Sequence, residues 1–92
     1  MNDNKYTIDF REVKHYSEIH KIIKKSLNFP DYYGKNLDAL FDCLTEYRQD
    51  RELILTNWHD LEYALKDYSG KLLYVFHEAC EENSHLKVTI HP

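Results

Sequence analysis

Three short runs rich in β-forming residues, Tyr6 to Phe10 (YTIDF), Glu52 to Thr56 (ELILT) and Leu86 to His91 (LKVTIH), are separated by stretches long enough for helical crossovers. That spacing constrains the fold more than any other feature of the chain. Antiparallel neighbours need only a tight turn between them, whereas parallel neighbours need a dozen or more residues, usually helical. The pattern predicts an α/β chain, a small three-stranded parallel β-sheet packed with about four α-helices. The 92 residues leave room for one core, so a single domain over 1–92 is expected, with residues 1–4 the candidates for disorder. Only two Gly and two Pro, with 42% apolar and 30% charged residues, fit a packed globular domain.

The segments between the strands carry helical periodicity. After Ser17, Ile19, Ile22, Ile23 and Leu27 recur on one side while Lys21, Lys24 and Lys25 take the other. A solvated face is the plain reading of those lysines. The stretch from Asn28 to Gly34 reads as a loop, because Pro30 restricts Phe29 and Gly34 permits a turn. Asn36 is a good N-cap for a second helix reaching about Tyr47, with Leu37, Leu40, Phe41 and Leu44 as its apolar stripe. Arg48 to Arg51 read as a polar turn before the middle strand. Beyond that strand, Trp58, Leu61 and Leu65 suit a short helix. Asp67-Tyr68-Ser69-Gly70 is expected to break it, before another helix from about Lys71 to Glu82.

Charge is unevenly distributed. From Arg11 to Lys35 six Lys/Arg face three Asp/Glu, and from Asn36 to Glu62 two face seven. A nucleic-acid binder concentrates positive charge, so a nucleic-acid partner is not expected, and the acidic segment points to a cationic one. No apolar run approaches the roughly 18 residues of a membrane span. The N-terminus MNDNKYTIDF lacks the regions of a signal peptide, so the expected location is the cytoplasm, with no membrane partner. Cys43 and Cys80 lack a framework spacing and read as free thiols.

Within the acidic segment, Asp38, Asp42 and Glu46 fall at successive i+4 spacings, above one another on one helix face. Like charges so placed destabilise a helix by about a few tenths of a kcal/mol per pair, and no lysine at i±4 offsets them. A solvated acidic face, with Asp38 near the positive end of the helix, competes with a binding role. Tyr32, Tyr33, Phe41 and Tyr47 lie beside these carboxylates, an interface-like mixture in which Phe41 and one of the tyrosines can equally belong to the core.

The run Pro30-Asp31-Tyr32-Tyr33-Gly34-Lys35-Asn36-Leu37-Asp38-Ala39-Leu40-Phe41-Asp42-Cys43-Leu44-Thr45 resembles the signature of the barstar family. Val75 to Ala79 (VFHEA) resembles that family's last helix, and the order of elements matches over about residues 5 to 91. The resemblance implies no catalysis and no cofactor. It implies a one-to-one protein inhibitor that a bacterium keeps in its cytoplasm against its own secreted, basic ribonuclease. The family's contact positions fall on Tyr32, Gly34, Asn36, Leu37, Asp38, Phe41, Asp42, Tyr47 and Glu78, with Asp42 implied to enter the enzyme's phosphate site. Tyr33 and Glu46 join the candidates from the aromatic cluster and the acidic stripe.

Departures surround the same region. Phe41 and Tyr47 stand where the family has tryptophans, Lys35 replaces an acid, Glu46 replaces a glycine, and the Arg48 to Arg51 turn is longer. Loss of the helix-ending glycine is expected to let the second helix extend. Cys43 matches a buried family cysteine, Cys80 has no match, and His20 matches a family histidine with packing as its default role. The rival enzyme reading is weak. His77 and Cys80, His59 with Asp60, and Asp38, Asp42 and Glu78 are the available metal-like groupings, and none has a complete ligand pattern, so no metal site is expected.

Overall fold

In the computed structural model, which describes residues 4–92, the middle run lies at the centre of a three-stranded sheet of order β1-β2-β3. The strands are β1 (Lys5–Asp9), β2 (Arg51–Thr56) and β3 (Leu86–Ile90), and both pairings are parallel. Helices α1 (Tyr16–Leu27) and α2 (Leu37–Thr45) connect β1 to β2, and α3 (Trp58–Ala64) and α4 (Lys66–Glu82) connect β2 to β3. The α/β architecture is the expected one. Asn4 already contributes to the sheet edge, since its carbonyl accepts the Glu52 N–H at 2.7 Å. Of the terminal segment expected to be disordered, residues 1–3 lie outside the described residues.

Strand alternation decides which face of the sheet is covered. Ile8, Leu53, Leu55 and Leu86 point to the core, whereas Lys5, Thr7, Asp9 and Lys87 alternate with them and remain exposed. One face therefore packs on helices and the other is mostly polar, with Lys5 4.0 Å from Glu52 and with Ile54 between Thr7 and Thr89 on it. The core continues through Phe10, Ile19, Ile23, Leu40, Leu44 and Phe76. Phe10 meets Trp58 edge to face, with ring centroids 5.6 Å apart.

Helix boundaries depart from expectation at three places, the starts of α1 and α4 and the end of α2. α1 begins at Tyr16, because Glu18 Oε1 accepts the Lys14 and His15 N–H groups at 2.8 and 2.9 Å. Its last residue is Leu27, as expected from a loop starting at Asn28, and Asn28 caps it in a left-handed conformation (φ 55°); the N–H groups of Asn28 and Phe29 reach back to Lys25 and Lys24 carbonyls. This is a Schellman closure with Asn in glycine's place, so Pro30 is not the stop. α2 ends at Thr45 and does not extend to Tyr47. The Asp67 to Gly70 stretch is not a break, because α4 runs through it and the chain turns instead at Leu65 (φ −140°, ψ 62°). Asp67 in the first turn suits the helix dipole, and the Ser69 hydroxyl donates to the Lys66 carbonyl at 2.7 Å.

His20 is 1% exposed and links three segments of the fold. Its Nδ1 lies 2.8 Å from the Tyr33 hydroxyl and its Nε2 2.7 Å from the Tyr68 hydroxyl. A neutral imidazole satisfies both, donating through one nitrogen and accepting at the other. Burial lowers its proton affinity below the ordinary value of 6.5. The unfolded chain consequently binds more protons below about that pH, and stability falls as pH drops through and beneath it. Urea midpoints should decline from pH 7 to 5, and His20→Gln should flatten that decline. An unchanged slope in the variant would assign the acid sensitivity elsewhere.

Candidate functional site

The loop before α2 is built by alternation of inward and outward rings. Phe29 and Tyr33 are buried with ring centroids 4.9 Å apart, and His20 holds the Tyr33 hydroxyl. Tyr33 N–H closes a turn on the Pro30 carbonyl at 3.0 Å, and Lys24 Nζ reaches Asp31 at 3.2 Å. These ties leave Tyr32 88% exposed while Tyr33 is 5% exposed. Tyr33 thus takes the core role left open for one tyrosine, with burial also driving its phenol pKa upward.

The turn itself is made by Lys35, in the left-handed region at φ 56°, and not by Gly34. Gly34 sits close to the helix that follows: a Cβ there would stand 3.2 Å from the Ala39 Cβ, a tight contact that Ala39 would have to yield to by a few tenths of an ångström. Asn36 then caps α2, its Oδ1 accepting the Ala39 N–H at 2.7 Å and its Nδ2 donating to the Gly34 carbonyl at 3.3 Å.

α2 buries Leu40 and Leu44 and turns Asp38 and Asp42 outward. Glu46 lies one residue past the helix but remains in the αR region (φ −88°, ψ −9°), and its carboxylate is exposed. α4 lies alongside and supplies half-buried Glu78. Leu37, Phe41, Tyr74 and Val75 join Asp38, Asp42 and Glu78 around a groove of about 320 Å³. Among the described residues, none of these three carboxylates, nor that of Glu46, takes part in a salt bridge. The face is acidic and unneutralised.

Asp42 also borders a second, larger cleft of about 690 Å³, shared with Tyr32, Glu46, Tyr47 and Arg51. The Arg51 guanidinium lies 5.2 Å from the Tyr47 ring centroid and 5.6 Å from that of Tyr6. Burial pushes the Tyr47 phenol up to about 12, against the opposing pull of Arg51. Cys43 lines this cleft as a half-buried free thiol, its pKa raised by burial and by the Glu46 and Asp42 carboxylates. Among the described residues, no group of three or more His, Cys, Asp or Glu is arranged to hold a metal ion, and Asp38, Asp42 and Glu78 do not form one.

Tyr74 and Val75 escape a sequence reading. Tyr74 stands four residues before Glu78, so helical spacing puts both on one side of α4, but nothing local says that this side meets α2. Among the described residues, no helix is long and apolar enough to cross a membrane.

Comparison with known proteins points the same way. The family described as Barstar (barnase inhibitor) matches residues 4–91. A Bacillus subtilis (strain 168) protein named "Putative ribonuclease inhibitor YrdF" is 42% identical over 79 residues, which span 85% of this chain and 87% of that protein.

Proposed function

Because the chain belongs to the barstar family, we propose that it is a cytoplasmic protein inhibitor that binds a basic ribonuclease one to one and blocks its active site. The observation that carries this reading is the convergence of Asp38 and Asp42 from α2 with Glu78 from α4 around one groove, with no salt bridge to any of them among the described residues. An RNA-cleaving site must hold phosphate with Arg, Lys and His, and it is therefore preformed for an anion. Asp42 stands in for the RNA phosphate among those cations. Asp38, Glu78 and Glu46 pair with neighbouring basic groups, and Tyr32 covers a catalytic histidine by ring contact. Leu37, Phe41 and Tyr47 supply apolar area, while Gly34 and Asn36 shape the loop. Occupancy excludes RNA, and no chemical step by the inhibitor is required.

The test is inhibition of RNA cleavage by barnase, or by a secreted basic ribonuclease encoded beside this chain's gene. Steering by opposite charge weakens as the Debye length shrinks from roughly 30 Å at 0.01 M to 3 Å at 1 M salt. The association rate, measured by stopped flow, should fall at least about tenfold across that range. No inhibition at saturating protein would overturn the reading, and a salt-independent rate would remove the charged face from it. Phe41, Tyr47, Lys35 and Glu46 favour a second reading, a barstar-like module for another cationic toxin or regulator. Tight association with a non-ribonuclease, without effect on RNA cleavage, would select it.

A further inference from the structure

A helix leaves its last four carbonyls without helical partners, and a left-handed glycine just past the end commonly satisfies them. α2 has no glycine there; Glu46 follows Thr45 directly. The carbonyls near its end find other donors. Thr45 Oγ1 donates to the Phe41 and Asp42 carbonyls at 2.9 and 3.1 Å, and the Glu46 N–H to that of Cys43 at 3.3 Å. The Leu44 carbonyl is taken from outside the helix, by Asn83 Nδ2 at 3.0 Å. The second hydrogen of the same amide goes to the Tyr47 carbonyl at 3.1 Å. Its Oδ1 accepts the His85 N–H at 3.0 Å, so the side chain, in a residue only 7% exposed, uses both donors and its acceptor.

Two more contacts tie the same turns together. Arg51 N–H donates to the His85 carbonyl at 2.9 Å, and His85 Nδ1 lies 3.0 Å from Asp50. The turn between α4 and β3 thereby grips the corner between α2 and β2, and that corner carries Glu46 and Tyr47. We infer that Asn83 is a positioning residue for the binding face. Its carboxamide caps α2 from a distance and sets where Glu46 and Tyr47 stand. The assignment rests on the inhibitory reading only for its consequence in binding; the positioning itself is a property of the free protein.

Two measurements separate those parts. In the free protein, Asn83→Ala should speed amide exchange at Glu46, Tyr47 and Arg48 by roughly tenfold or more and shift the Tyr47 ring resonances, leaving Asp38 to Phe41 unchanged. Asn83→Ser, which keeps a donor but cannot span both carbonyls, should do the same more mildly and serves if the alanine variant does not fold. Unchanged exchange and ring shifts at the corner in a folded variant would overturn the proposal. In binding to barnase, Asn83→Ala should cost roughly tenfold in Kd. That loss should largely vanish in a Glu46→Ala/Tyr47→Ala background and persist in an Asp38→Ala background. Equal losses in both backgrounds would mean a general stability effect and would also overturn it. If the unmodified protein fails to bind any basic ribonuclease, the inhibitory reading falls, while the exchange measurement still decides the positioning.

Discussion

Asp42→Ala is expected to weaken ribonuclease binding more than any other single truncation on the face, by about 2–5 kcal/mol. That is roughly thirty-fold to several-thousand-fold in Kd. Asp42 borders both clefts, so a cation placed against it is flanked by the Asp38 and Glu78 side and by the Glu46 side. Removing it leaves partner cations desolvated and unpaired, and most of the loss should appear in the dissociation rate. Asp38→Ala should come next. The free protein should be nearly indifferent, within about ±0.5 kcal/mol, since Asp42 is exposed and forms no salt bridge among the described residues. Inhibition titrations with parallel urea denaturation check both halves. Parent-like inhibition by both variants would mean that the acidic stripe is a solvated surface.

Leu40→Ala should give the opposite pattern, a loss of about 2–5 kcal/mol in folding stability with little change in the affinity of the folded fraction. Leu40 shares α2 with Asp42 but is fully buried in the common core. Its truncation removes transfer free energy and leaves a cavity that the helix, held by Asn36 at one end and Asn83 at the other, cannot easily close. Urea denaturation gives the first quantity. Titration at low temperature, corrected for the folded fraction, gives the second. A Kd change as large as that of Asp42→Ala would show that the two faces of this helix are not separable.

Where chemistry is local, the sequence is readable. Isoleucines at helical spacing in α1 do reach the core at Ile19 and Ile23, and the lysines do face outward or lie half-buried. The N-cap role of Asn36 needs only its own side chain and an N–H three residues on. Composition misleads where two local explanations compete. Asp67, Ser69 and Gly70 suit a turn, yet they also suit the opening turns of a helix, and packing of Leu72 and Phe76 favours the helix. Gly34 invites a left-handed turn, yet Lys35 adopts the positive φ, and what distinguishes Gly34 is its close approach to Ala39.

By itself, then, the sequence determined the order of strands and helices, the parallel sheet and the exposed pair Asp38 and Asp42 one turn apart on α2. Period-two and period-3.6 patterns depend only on residues a few positions apart. Only the tertiary structure decided that Tyr33 turns inward while Tyr32 turns out, that Tyr74 and Val75 complete the groove beside Glu78, and that α2 stops short of Tyr47. These rest on contacts across the fold, His20 with Tyr33, α4 against α2, and Asn83 with Leu44 and Tyr47. Such contacts exist only once helices have docked on a sheet, and no local periodicity encodes which side chains then meet.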